Sequence, residues 1–184
     1  KNKDPNLNAP VPITQKATYE DWCIVEPIPF DQPECWATSA SQCVAQGLLS
    51  NVNLTEDANS GTYALVLTTG EDSVGMPFPA IAFFKNKINT RPEKITGYYK
   101  ADLKGEDYAS IHVTLTDSRG SIGWGVLDIT RSTNMYEHFE VPLHYYSASV
   151  QPDSFSLIIY SSYDSPTSGT TPTLHDLALE TLTD

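Results

Sequence analysis

The sequence predicts an all-β protein, a two-sheet antiparallel β-sandwich of the jelly-roll type. Strand-like stretches recur at short intervals, with no amphipathic helical pattern between them. Thirteen prolines and ten glycines supply turns, while ten tyrosines and many Thr and Ser residues favour strands. Hydrophobic residues make up 40% of the 184-residue chain, which is enough for one domain with a substantial core.

Residues 1–16 are expected to form a linker or extended N-terminal segment, and residues 17–184 a single jelly-roll domain. The leading stretch is polar and carries prolines, as a spacer between domains does. It does not resemble a signal peptide, and no apolar run approaches the roughly 20 residues of a membrane-spanning helix. We therefore interpret the chain as a piece of a larger exported protein, linked covalently to neighbouring domains.

The expected elements of the first half are short and are separated by turn residues. In order they are strands at 17–22 and 35–39, a helical turn at 42–49, and strands at 52–56, 62–69 and 80–85. Three prolines after the first strand predict a loop at 24–34, and 70–79 is expected as another loop. Asn59 and Gly61 suit the positive φ of a turn.

The second half alternates apolar and polar residues, which predicts strands with one buried and one exposed face. In order these strands are two within 95–116, then 121–130, 136–146, 154–162 and 174–182. The core residues expected from both halves are apolar and lie on the inward side of a strand. They are Tyr63, Leu65, Leu67, Phe83, Ile95, Tyr99, Ile111, Val113, Leu115, Phe139, Val141, Phe155, Leu157, Ile159, Leu177 and Leu179.

The stretch 95–116 consists of two alternating runs around a polar turn at Lys104-Gly105-Glu106. Paired as an antiparallel hairpin, the runs would share one face away from the core. That face would carry Tyr98, Lys100, His112 and Thr114. Aromatic and hydrogen-bonding groups together on a rigid sheet predict a sugar-binding surface.

The charge balance excludes several partners. The net charge is −12 and the pI about 4.5, which argues against nucleic acid because phosphates are neutralised by Lys and Arg. It argues equally against docking on anionic lipid, while the lack of a long apolar run argues against membrane insertion. Acidic polymers would be repelled unless cations bridge the two surfaces. Divalent cations such as calcium, which take oxygen ligands, are compatible with such a surface.

The three cysteines, Cys23, Cys35 and Cys43, lie close together in sequence. In an acidic all-β chain this spacing indicates an oxidising compartment and a single disulfide. Pairing of Cys23 with Cys35 is slightly favoured, and Cys35 with Cys43 remains open. No C-x-x-C pair is present, so the sequence does not predict a zinc or redox motif.

Seven short motifs occur in the order found in one family of exported bacterial jelly rolls. They are YEDW at 19–22, PECWATS at 33–39, DANSGTYALVL at 57–67, ITGYYK at 95–100, the strand at 107–116, PDSF at 152–155 and LHDL at 174–177. The chain thus resembles the "putative carbohydrate metabolism domain" of secreted multidomain proteins, similar in shape to carbohydrate-binding modules. The resemblance implies a jelly roll, a secreted or cell-surface bacterial protein and an association with glycans.

The resemblance also implies one structural Ca²⁺ between the first strand, a loop and the final strand. Its expected ligands are Glu20, Asp57, Ser60 and Asp176. Calcium takes about six to eight oxygen ligands. His175 stands where the family has Asp, and imidazole is a poor calcium ligand. The alternative is that Glu20 and Asp176 cap turns through backbone N–H groups.

Aromatic side chains stack on sugar rings, and neighbouring polar groups bond the hydroxyls. The expected ligand-binding residues are Trp36, Tyr98, Lys100, His112, Trp124 and His144, with Tyr160 as a further aromatic candidate. For each aromatic residue, packing in the core or beneath a loop is the competing interpretation.

Catalytic motifs are missing from the sequence. The four histidines lack His-x-His or His-Glu-x-x-His spacing, and no Gly-x-Ser-x-Gly elbow occurs. No carboxylates have a spacing that pairs them as in a glycosidase. We therefore expect a non-catalytic glycan-binding module, with a structural or protein-interaction domain as the alternative. A lyase or hydrolase is favoured only by the shared architecture.

Overall fold

The computed structural model describes residues 36–181, together with the backbone of three short strands before them. The strands are β1 (Val11–Pro12), β2 (Trp22–Ile24), β3 (Asp31–Pro33), β4 (Trp36–Thr38), β5 (Val52–Thr55), β6 (Ala64–Leu67), β7 (Gly70–Glu71), β8 (Pro77–Phe78), β9 (Ile81–Lys87), β10 (Lys94–Asp102), β11 (Ala109–Asp117), β12 (Gly120–Ile129), β13 (Thr133–Pro142), β14 (His144–Tyr145), β15 (Ser154–Tyr160) and β16 (Thr171–Glu180). Helix α1 (Ala40–Ala45) follows β4. These bounds agree with most predicted strands to within a few residues.

Two six-stranded antiparallel sheets form the body of the domain, which confirms the predicted sandwich. The β10 sheet has the order β13-β10-β16-β6-β5, with β1 paired to β16. The β11 sheet has the order β14-β12-β11-β15-β9-β4. Of the two small ladders, β7-β8 lies in a segment predicted to be a loop, as does β3 of the β2-β3 ladder, whereas β2 overlaps the end of the predicted first strand.

The core lies between the inward faces of the two large sheets, and nearly all predicted core residues are buried. Fully burying one such apolar side chain contributes about 1.5–3 kcal/mol before entropy is counted. Phe83 is an exception, because Ala82 and Phe84 take the inward positions of β9 and Phe83 faces outward. A shift of one residue along a strand reverses the face. Tyr63 is partly buried at the margin of the core.

Strands β10 and β11 do not form the predicted hairpin. Strand β10 pairs with β13 and β16, whereas β11 pairs with β12 and β15 in the opposite sheet. Residues 103–108 therefore cross from one sheet to the other. Both strands keep their apolar residues inward in either arrangement, so the alternating pattern does not distinguish a hairpin from a crossover.

Parts of the N-terminal third are also described. Within the predicted linker 1–16, Val11 and Pro12 pair with Leu179 and Ala178 of β16.

Cys43 is a buried free thiol on α1, so the alternative disulfide between Cys35 and Cys43 is not formed. Burial raises the pKa of Cys43 above its ordinary value. The side chains of the other two cysteines lie outside the described residues, as do residues 17–21 of the expected first strand. Within the described part of the chain, no helix is long and apolar enough to cross a membrane.

Candidate functional site

The outward face of the β11 sheet, here called the β11 face, carries aromatic and polar side chains in rows. Strand residues alternate between two faces, so outward positions on neighbouring strands line up across the sheet. One row joins His144, Trp124, Thr114 and Ser156. The next joins Val126, His112 and Ile158. Trp124 is 43% exposed and Val126 39%, so this apolar surface is open to solvent.

Trp124 is exposed because it faces outward on β12, between two glycines that face the interior. Gly123 and Gly125 face inward, and a Cβ at Gly123 would lie 2.8 Å from the carbonyl oxygen of His144. A Cβ at Gly125 would lie 2.8 Å from a methyl carbon of Leu143. The two glycines thus allow the 141–145 segment to approach the strand. The ring of Trp124 then lies beside that of His144, with centroids 5.2 Å apart.

A second aromatic cluster lies next to Trp124's row. The His112 ring contacts the rings of Tyr163 and Tyr160, with centroids 4.7 and 5.3 Å away. Tyr163 also contacts Tyr108, at 5.9 Å, and its backbone N–H donates to the Tyr108 carbonyl. Tyr163 is 46% exposed, so it extends the aromatic surface beyond the end of β15.

A chain of hydrogen bonds fixes the orientation of the His112 imidazole. The Ser110 hydroxyl lies 2.7 Å from a carboxylate oxygen of Asp128 and 3.3 Å from the Leu127 carbonyl. Its single proton goes to the nearer, charged acceptor, so Nε2 of His112 donates to Ser110 Oγ at 2.9 Å. Neutral His112 is then left with an unprotonated Nδ1, which can accept a hydrogen bond from a ligand. Burial lowers the pKa of His112, partly offset by the nearby Asp128.

The predicted grouping of Tyr98 and Lys100 with His112 is wrong, because the crossover places β10 on the opposite side of the sandwich. Tyr98 packs edge-on against His138, with ring centroids 5.1 Å apart. The Lys100 ammonium pairs with the Asp57 carboxylate and lies 5.4 Å from the centre of the Tyr136 ring. Burial, with a contribution from Asp57, raises the pKa of Tyr136 to about 12. The 56–63 loop thus engages Lys100 on this face.

The residues expected to hold calcium are only partly brought together. Ser60 donates to an oxygen of Asp176 at 2.8 Å, across 116 positions in sequence. Asp176 has a φ of 52°, a left-handed conformation that a non-glycine residue rarely adopts. The Asp57 carboxylate is engaged by an ammonium group, and Glu20 lies outside the described residues. In the described residues, no group of three or more His, Cys, Asp or Glu side chains is arranged to hold a metal. Those residues alone therefore do not fit a calcium site, which remains a prediction that depends on Glu20.

Trp36 does not lie on a ligand-binding surface. It is 2% exposed and packs on Phe84 in the core, with ring centroids 5.2 Å apart, because its position on β4 faces inward. Conversely, Tyr163 and Val126 belong to the β11 face but were not predicted there. Tyr163 follows the strand in a serine-rich loop, and nothing in that loop's pattern signals its contact with His112.

Comparisons with solved structures give the same architecture. A putative glycoside hydrolase from Bacteroides thetaiotaomicron VPI-5482 matches with a TM-score of 0.70 and 12% identity, over 89% of this chain and 67% of that one. A second, from Bacteroides vulgatus ATCC 8482, matches with a TM-score of 0.66 and 14% identity, over 86% and 89%. No family model matches the sequence, and no curated protein does.

Carbohydrate-binding modules share the fold as well. TmCBM61, in complex with β-1,4-galactotriose, matches with a TM-score of 0.53 and 10% identity, over 79% of this chain and 88% of that one. The non-crystalline cellulose specific module CBM28 matches with a TM-score of 0.51 and 15% identity, over 80% and 88%. At these identities the likeness establishes the fold alone. The chain therefore shares its jelly roll with carbohydrate-binding modules and putative glycoside hydrolases, as the sequence motifs implied.

Proposed function

We propose that this domain is a non-catalytic glycan-binding module that contacts its ligand through the β11 face. The observation that carries the proposal is the solvent-exposed row of Trp124 and His144 beside the His112 cluster. An indole face can stack on a sugar ring, while imidazole and hydroxyl groups bond the sugar's hydroxyls. The module would belong to a secreted or cell-surface protein and would hold that protein on a polysaccharide.

The similarity in fold supports this proposal but is not sufficient for it. TmCBM61 and CBM28 are carbohydrate-binding modules of the same architecture. Fold alone does not determine function, so the argument depends on the side chains of the β11 face. Because two neighbours are putative glycoside hydrolases, lack of catalysis is part of the proposal. Incubation with polysaccharides should release no new reducing ends, and their release would contradict it.

Affinity electrophoresis in polysaccharide gels, followed by titration calorimetry, tests the binding face. We expect Trp124→Ala to lower the affinity by at least about tenfold, roughly 1.4 kcal/mol, because a stacking platform at the centre of a contact is lost. Met135→Ala is the matched control, since Met135 is 78% exposed on a strand of the other sheet. Equal retention of both variants and the wild type would exclude the β11 face.

The alternative is a structural or protein-interaction domain without sugar binding. A glycan array read in calcium-containing buffer separates the two functions. If no glycan is retained by the wild type, the sugar-binding proposal is wrong and the structural function is favoured. Retention abolished by Tyr98→Ala and unaffected by Trp124→Ala would instead place binding on the β10 sheet.

A further inference from the structure

Lys85 and Lys87, both on β9, differ from every other described Lys and Arg residue. The other lysines, with Arg119 and Arg131, pair with carboxylates, and Arg91 donates to backbone carbonyls. Among the described residues, the ammonium groups of Lys85 and Lys87 make neither an ion pair nor a hydrogen bond. Both side chains are exposed, and their spacing of two residues puts them on one side of the strand.

That side is the β11 face. Lys85 pairs in register with Ser156, Ser156 with Thr114, and Thr114 with Trp124. The row thus runs from an indole ring across two hydroxyl groups to an ammonium group. With neighbouring strands about 4.8 Å apart, Trp124 and Lys85 are separated by roughly 14 Å at the backbone. That distance is comparable to the length of a few linked sugar residues.

The space around the two lysines is a depression rather than a flat surface. Its volume is about 600 Å³. It is lined by Lys85, Asn86, Lys87, Asp153 and Ser154. The lining carboxylate, Asp153, accepts a hydrogen bond from the Ser154 hydroxyl at 2.9 Å and pairs with neither lysine. Both ammonium groups therefore remain available to an anion.

The net charge of −12 does not prevent this. At physiological ionic strength, charges more than about 8 Å away are largely screened, so groups next to the ligand decide the local attraction. We propose that the β11 face takes an acidic glycan, with a sugar ring on Trp124 and a carboxylate of a uronate residue at Lys85 and Lys87. This inference rests on the proposed function and adds a charge to its ligand.

The contribution of the carboxylates to binding is tested with three acidic polymers: polygalacturonate, alginate and hyaluronate. Each is compared with its own carboxyl-reduced form, which differs from it in charge. Titrations are done in EDTA so that no divalent cation bridges protein and polymer. We expect at least one acidic polymer to bind about tenfold more tightly than its reduced form, and salt to weaken that binding. The double variant Lys85→Gln/Lys87→Gln should lose this preference and keep binding to the reduced polymer. Lys94→Gln, on the other sheet, is the control.

The outcomes separate the two proposals. If acidic and reduced polymers bind equally, or the double variant keeps the preference, the inference is wrong while glycan binding stands. If no polymer of any pair binds and the glycan array is also negative, the proposed function itself fails. Exposed charged residues also discourage association between molecules through a neighbouring apolar surface, such as that of Trp124 and Val126. Self-association of the double variant without any change in binding would assign the lysines to that protective function and overturn the inference.

Discussion

The hydrogen-bonding capacity of His112 is determined by Ser110 on the same strand and Asp128 on the neighbouring strand. Asp128 accepts a hydrogen bond from the Ser110 hydroxyl, Ser110 Oγ accepts one from the Nε2–H of His112, and Nδ1 is left as an acceptor. Protonation of the ring would convert Nδ1 into a donor and add a positive charge. The other groups around the ring are the phenols of Tyr160 and Tyr163.

We therefore predict that His112 makes stability and binding sensitive to acid. Because burial depresses its folded-state pKa below the ordinary value of about 6.5, the folded state binds fewer protons than the unfolded state. Its contribution to stability is complete above about pH 6.5 and is lost as the pH falls through the folded-state pKa. The melting temperatures of the wild type and His112→Gln are measured from about pH 7.5 to about pH 4.5, a range that spans the ordinary histidine pKa. The variant should lose less melting temperature on acidification than the wild type. His138→Gln is the control; identical acid shifts in wild type and His112→Gln would contradict the prediction.

Gly97 marks a close approach inside the core. An added Cβ would lie 2.7 Å from a methyl carbon of Leu177 and 2.9 Å from the ring of Phe139. Gly97→Ala should therefore lower the free energy of unfolding by about 1–3 kcal/mol, the usual cost of overpacking. Gly70→Ala is the matched control, since a Cβ there meets nothing within 4 Å. Chemical denaturation measures both, and equal stabilities would show that the core relaxes around the methyl group.

Single residues also show how far the sequence could predict the site. Trp124 was predicted correctly as exposed, since it stands between two glycines on an alternating strand. Trp36 was not, because β4 is too short for its alternation to reveal which side faces inward. Phe83 and Phe84 are adjacent and equally apolar, so the sequence could not decide between them. In each case the face is determined by partner strands that are distant in sequence.

At the scale of elements, the 103–108 crossover is held by a buried carboxylate. Asp107 is 4% exposed and accepts from the backbone N–H of Tyr108 at 2.8 Å and of Thr167 at 3.0 Å. It also accepts from the Ser162 hydroxyl. The carboxylate thereby joins the crossover to the 161–170 loop, which carries Tyr163 over the β11 face.

Asp107→Ala would leave three donors without their acceptor, the buried Ser162 hydroxyl and two part-buried backbone N–H groups. At about 1–3 kcal/mol for each unsatisfied donor, a loss of roughly 3 kcal/mol or more in unfolding free energy is expected. The loosened 161–170 loop should also exchange its backbone amide hydrogens faster. Asp102→Ala is the control, because Asp102 is exposed and its carboxylate pairs with Lys104 next to it on the surface. A variant as stable as the wild type would show that the crossover is held by its apolar neighbours.

The crossover is also the element that sequence reasoning missed. The strands at either side were predicted within a residue or two, because alternation is a local property. Their partners were not, since an antiparallel hairpin and a link between sheets bury the same residues. Asp107 was a possible signal, as an acidic residue next to a strand becomes buried only when other segments supply donors. Those donors come from positions 162 and 167, which no local pattern connects to it.

At the scale of the whole molecule, the two outer faces of the sandwich differ in what covers them. The 56–63 loop reaches over the β10 sheet, where Ser60 bonds Asp176 and Asp57 pairs with Lys100. The β11 face has its aromatic rows open to solvent. The proposed ligand surface and the loop-anchoring surface therefore lie on opposite sides, and changes on one should have little effect on the other.

Because the two surfaces are separate, the calcium prediction can be tested independently of glycan binding. If Glu20 completes a site with Asp57, Ser60 and Asp176, the ion binds only the folded chain, so calcium should raise the melting temperature and EDTA should lower it. Asp176→Asn should abolish that response. Lys100→Met should enlarge it, because the ammonium that neutralises Asp57 is removed and the cation no longer competes with it. Scanning calorimetry of the three proteins, with and without chelator, measures the effect. Melting temperatures that are identical in calcium and EDTA would contradict the calcium prediction. The Ser60–Asp176 hydrogen bond would then hold this loop on β16 without an ion, and the proposed glycan-binding face would not be affected by that outcome.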